Sequence, residues 1–296
     1  MGRAAAGLLA VRLAWCREMN VLIEAKRARY GLLCVLVAFA FNIGFLISSS
    51  PIETLPAYPL VRLARYFDLL DANLGAALHF LASTWGRLIW LVVIFGWAIC
   101  GLRARDMGIR WSQWKEGVVV TLVMWVVIEG VLAGSVWVLG RRLTWDPLWA
   151  RLTPAAIVAN VVYYFLGVAL FEEVFYRGFM VPQFFHAFQE RFPKRSRVMA
   201  VLTSQLLFAL SHIPHYPMPF PKPVGLGILW LTGIVLAWMW LRTGNLFIVV
   251  GWHGLMDFPL HLVKTPQNVP EGITYLVGVL LLLAGWPLVQ KHLSQA

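Results

Sequence analysis

Apolar residues gather into eight long runs along this chain, and short stretches rich in charge, proline and glycine separate most of them. The runs lie near 30–48, 84–102, 117–139, 154–180, 198–216, 224–241, 245–263 and 272–290. A helix rising about 1.5 Å per residue needs roughly 20 residues to cross the hydrocarbon of a bilayer. The pattern therefore predicts an all-α fold, a polytopic integral membrane helical bundle of about eight transmembrane helices. Residues 1–29 read differently, because Arg12 and Arg17 interrupt the apolar stretch from Ala4 to Trp15. They predict a basic, amphipathic segment on the membrane surface, not a cleavable leader. With no internal repeat in view, residues 30–296 are expected to form one bundle.

Composition strengthens the membrane reading. Hydrophobic residues make up 60% of the chain and charged residues only 13%, where a soluble domain carries about 25% charge. So little charge cannot cover a water-facing surface, whereas lipid solvates apolar side chains. The 15 Trp and 8 Tyr suit the headgroup level, where amphipathic rings settle. Residues 58–72 and 143–150, with Trp145 and Trp149, are expected to lie at that level too.

The net charge of +11 could suggest a nucleic-acid partner. The basic residues lie mostly in short loops beside apolar runs, so membrane lipids are the expected partner and nucleic acid is not. With the amino terminus inside, sixteen Lys and Arg fall in inner segments and seven in outer ones. That bias predicts both termini in the cytoplasm, and the wealth of Ala, Leu, Arg and Trp points to a bacterial inner membrane. Cys16, Cys34 and Cys100 form an odd set without metal spacing, and are expected to be packing residues.

Ionisable side chains inside spans are costly and mark functional interiors. They cluster in three runs. The fourth carries Glu172, Glu173 and Arg177 in Phe-Glu-Glu-Val-Phe-Tyr-Arg-Gly; the fifth carries Phe208 and His212; the seventh carries His253 and Asp257. Glu173 and Arg177 are four apart and can pair on one helix face. Glu172 points about 100° away from Glu173, free to meet a different neighbour. Asp257 can hold the His253 imidazole in one tautomer. Glu129, in the third run, reads as a buried pairing residue. His215 and His261 read as interfacial, and Gly225 and Gly227 as helix-packing glycines.

Glu172-Glu173-x-x-x-Arg177, Phe208-x-x-x-His212 and His253-x-x-x-Asp257 resemble the three ordered motifs of the CAAX-protease and bacteriocin-processing family. The resemblance covers about residues 154–263 and implies an intramembrane endopeptidase of the glutamic type. It implies that Glu172 and His212 activate water and that His253 and Asp257 stabilise the oxyanion. Glu173, Arg177 and Phe208 would support the site, with no cofactor. The substrate would be a membrane-associated or lipid-anchored peptide or protein. The family often has Asn at the last motif position. Aspartate donates a hydrogen bond only when protonated, so orienting His253 stands as the alternative role for Asp257. Two alternatives stand beside this reading: a zinc-dependent metallopeptidase, since two histidines and a carboxylate can hold zinc, and a non-proteolytic membrane immunity or transport protein.

Beyond His212, five prolines between Pro214 and Pro223 forbid a regular helix. Glu172 and His212 are expected roughly 20 Å from the inner face, so a hydrated vestibule opening outward is expected near 214–223. Reporter fusions test the orientation: a cytoplasmic reporter should be active at both termini, and a periplasmic reporter active at the carboxyl terminus would overturn the charge argument.

Overall fold

The computed structural model describes Leu22, Ala28 and residues 31–48, 57–68, 71–150, 152–216, 220–264 and 271–293. The expected surface segment at 1–29 lies outside the described residues apart from Leu22 and Ala28. Among the described residues there is no strand, only an isolated bridge between Trp145 and Val263. The principal helices are α1 (Leu32–Ser48), α2 (Tyr58–Asp68), α3 (Ala72–Ile99), α4 (Trp114–Val138), α5 (Pro154–Gln189), α6 (Ser196–Ser211), α7 (Lys222–Thr243), α8 (Leu246–Asp257) and α9 (Glu271–Leu293).

Four helical segments are long and apolar enough to cross a membrane: Ala72–Ile99, Trp111–Val138, Pro154–Gln189 and Lys222–Thr243. Shorter apolar helices fill the other four predicted runs. The protein is an integral membrane helical bundle. Helix α2 carries Arg62 and Arg65 beside exposed Leu63 and Tyr66, the composition of an interfacial helix.

Two boundaries differ from the sequence reading. Helix α3 begins twelve residues before the apolar run, because the Asp71 carboxylate accepts the backbone N–H groups of Asn73 and Leu74 (2.9 and 3.1 Å) and caps the end. Helix α5 continues to Gln189 through stretches of wide π-turns at Val162–Ala169 and Glu173–Met180. Pro182 follows the second stretch; lacking an N–H, it cannot complete the regular ladder.

The chain forms two compact units. One holds the described residues through Tyr58, with Ala82–Trp111 and Leu170–Leu246; the other holds Pro59–Leu81, Ser112–Ala169 and the described residues from Phe247 onward. In the first unit the second half of α5 packs against α6, and α6 packs against α7. Phe171, Phe175 and Phe179 stack at successive turns of α5, with ring centroids 5.8 and 6.1 Å apart. Cys34 and Cys100 are joined as a disulfide in this unit. The expectation of plain packing cysteines is corrected: positions 66 apart in sequence reach a Cα separation of 6.4 Å, which only the folded contact of α1 with the end of α3 reveals. In the second unit α4 packs against α9.

Close backbone approach is legible at one glycine of the α5 motif. A Cβ added to Gly178 would overlap the Met107 carbonyl, and backbone cannot yield as a side chain tip can. Gly225 also serves packing, against the Tyr216 ring, but Gly227 faces open space, so only half of the expectation for that pair holds. Thermal unfolding in detergent should show Gly178→Ala destabilised by about 1–3 kcal/mol, the usual cost of overpacking, and Gly227→Ala unchanged or slightly stabilised. Equal behaviour of the two variants would contradict the close approach.

Candidate active site

The first unit supplies a buried ion pair. Arg177 Nη1 donates to Glu173 Oε1 at 2.9 Å, and both side chains are fully buried. The Arg177 guanidinium also lies over the Phe208 ring, 4.4 Å from its centroid, a cation–π contact that desolvation strengthens. Helix α6 is thereby held to α5 at Phe208. Glu173, Arg177 and Phe208 are thus brought together in one contact.

The same residue fixes the histidine. His212 stands at the carboxyl end of α6, and its Nδ1 lies 2.8 Å from the Phe208 carbonyl oxygen. A carbonyl only accepts, so this partner assigns the hydrogen to Nδ1 and leaves a lone pair on Nε2 of the neutral ring. Nε2 faces Glu172 Oε1 at 3.9 Å. That gap is too long for a direct hydrogen bond and invites a bridging water. Both side chains are about four-fifths buried, so a water held there is shielded but reachable. Arg177 acts electrostatically on Glu172 as well as Glu173.

The second unit carries His253 and Asp257 on one face of α8. His253 Nε2 lies 3.5 Å from Asp257 Oδ2; His253 is buried, while Asp257 is about one-third exposed. Packing closes in around them. A Cβ on Gly254 would come within 2.5 Å of the Phe165 ring, and Phe258 stacks on Tyr164 with centroids 5.7 Å apart. The structure thus forms each predicted pair, Glu172 with His212 and His253 with Asp257, in its own unit.

Several residues escaped the sequence reading. Tyr176 donates from its hydroxyl to Ser211 Oγ (2.7 Å), and Ser211 Oγ donates to the Phe208 carbonyl (2.7 Å). Ser204 Oγ donates to the Tyr176 carbonyl (2.7 Å). These bonds tie the α5 motif to the carbonyl that orients His212. No spacing rule flags them, since Tyr and Ser are ordinary in apolar helices; only the sequence position of Tyr176 inside the charged motif was a signal. Arg87 lies over the Phe171 ring at 5.0 Å. Glu129 has the pairing role expected of it, with His261 Nδ1 donating to Oε1 at 2.8 Å. His261 is buried, which corrects its reading as interfacial: the Glu129 carboxylate draws it inward. Among the described residues, no three His, Cys, Asp or Glu side chains are grouped as a metal-binding cluster.

Residues 154–259 match the family described as type II CAAX prenyl endopeptidase, Rce1-like. This part of the chain is similar to that family. The Rce1-like match runs from the start of α5 past the end of α8 and so spans all three motifs. Rce1-like proteins are peptide hydrolases of the CAAX-protease type, and the resemblance drawn from the motifs is met. No match was found among curated proteins or solved structures.

Removing Arg177 leaves the fully buried Glu173 without its cation. Arg177→Ala should therefore lose detergent-stable protein, at a cost of about 3–5 kcal/mol, whereas Glu172→Gln keeps shape and should unfold near the wild-type temperature. Equal loss of folded protein in both variants would contradict this division of labour.

Proposed function

We propose that this membrane protein hydrolyses a peptide bond in a membrane-associated or lipid-anchored polypeptide, using water activated jointly by Glu172 and His212. The observation that carries the reading is the 3.9 Å approach of Glu172 Oε1 to the lone-pair nitrogen of His212. Two acceptors facing each other across that gap can hold one water by both hydrogens. Glu172 takes a proton as the water oxygen attacks the carbonyl carbon, and His212 keeps the oxygen's lone pair aimed. Glu172 then returns the proton to the departing amide nitrogen, so the cycle closes without a covalent intermediate.

The second pair takes the role that the family resemblance implies. His253 acts as an imidazolium: its Nε2 faces an ionised Asp257, which orients and supports the ring, and its Nδ1–H donates to the oxyanion as it develops. The reaction needs no metal ion in this scheme, and a chelator should leave the rate unchanged. Both termini lie in the cytoplasm of a bacterial inner membrane, as the loop charges favour. Helix α5 runs 17 residues beyond Glu172 and α6 runs 16 residues before His212. Both groups then stand about 25 Å from the inner ends of their helices, which favours substrate entry from the outer half. Residues 217–219 of the expected vestibule lie outside the described residues, while Tyr216 donates to the Phe220 carbonyl at 3.0 Å.

Comparative peptidomics of cells carrying wild-type protein and Glu172→Gln tests the reading. The variant should accumulate an uncut membrane-associated polypeptide whose shorter product appears only with wild type. Identical peptide profiles, with the variant present at normal level, would overturn proteolysis and favour a binding or immunity role.

A further inference from the structure

Glu129 is a buried carboxylate on an apolar helix that the proposed chemistry does not use. Its cost at membrane depth calls for a compensating role. It accepts three hydrogen bonds: from His261 Nδ1 at 2.8 Å, from the Leu262 backbone N–H at 2.8 Å and from the Val263 N–H at 3.3 Å. The donating strap, residues 260–264, begins three residues after Asp257, where α8 ends.

The strap is held elsewhere as well. Trp125 Nε1 donates to the Leu260 carbonyl (3.2 Å), and Trp149 Nε1 donates to the His261 carbonyl (2.6 Å). Asp146 N–H donates to the Leu262 carbonyl, and Lys264 N–H to the Thr144 carbonyl, both at 2.9 Å. Leu260 adopts φ +53°, the one positive φ of a non-glycine among the described residues. An L-residue enters that region only when its surroundings force it. Tyr275 adds a bond from its hydroxyl to the Leu255 carbonyl, 2.8 Å, inside α8 itself.

From this geometry we infer that Glu129 is a positioning residue for the reaction: it anchors the strap that sets the end of α8, and thereby holds Asp257 against His253. The inference rests on the proposed role of His253 and Asp257. Glu129 acts through backbone. A carboxylate suits the site because all three partners donate to it, and an amide would meet them all only if His261 changed tautomer to accept at Nδ1.

The test uses full-length protein in liposomes and an internally quenched peptide ending in a farnesylated CAAX sequence. Glu129→Gln should lower kcat about tenfold with KM within about twofold, and Asp257→Ala should lower kcat by itself. In an Asp257→Ala background, adding Glu129→Gln should cost less than about twofold more, since residues acting through one group are non-additive. Trp149→Phe, which loosens the same strap without touching the buried charge, serves if Glu129→Gln fails to fold. It should show a smaller kcat loss that also vanishes in the Asp257→Ala background. The same fold-loss in both backgrounds would overturn the inference while leaving the proposed function intact. An Asp257→Ala protein as active as wild type, or a wild type that leaves the peptide uncut, would overturn the underlying reading and the inference with it.

Discussion

Everything in the first unit's site depends on one buried contact, the Arg177 guanidinium held between the Glu173 carboxylate and the Phe208 ring. A charge pair with no exposure is costly to desolvate and tolerates no slack in its geometry. It therefore specifies more than it stabilises. One helix register puts Glu173 within 2.9 Å of Arg177, and one docking of α6 puts Phe208 over the cation. With those two conditions met, Glu172 and His212 have little freedom left.

The division between the adjacent glutamates follows from helix geometry. A turn of about 100° separates their directions, so one carboxylate enters the dry ion pair while its neighbour meets His212 at the end of α6. Phe208 serves the site with both of its ends. Its ring covers Arg177, and its carbonyl takes the His212 Nδ1–H together with the Ser211 hydroxyl. A residue with an apolar side chain thus sets a tautomer through its backbone carbonyl. Behind it, Tyr176 and Ser204 hold α5 and α6 together through hydrogen bonds that satisfy their buried hydroxyls.

What could be read from sequence was what obeys a period or a cost. Eight apolar runs emerged because hydrocarbon thickness imposes a length. Glu172, Glu173, Arg177, His212, His253 and Asp257 emerged because charge at depth is expensive. The early start of α3 was hidden, since Asp71 caps a helix whose first turns are interrupted by Asn73, Gly75 and His79. Contacts between segments distant in sequence were hidden too. Cys34 meets Cys100, and Glu129 meets residues 261–263, through folding alone. Tyr176 and Ser211 carry no cost that a linear reading detects, and so appear only when their hydroxyls are seen 2.7 Å apart. The family match reinforces the ordered motifs, but their chemistry comes from the pairing of side chains.

The central claim is that Glu172 and His212 act on one water and not as two independent aids. A double-mutant cycle in kcat/KM, comparing Glu172→Gln, His212→Ala and the combined variant, tests it most directly. Groups that act as a unit lose nearly everything on the first removal. The account predicts a double variant no slower than the slower single variant, within about threefold. Losses that multiply across the two substitutions would contradict it.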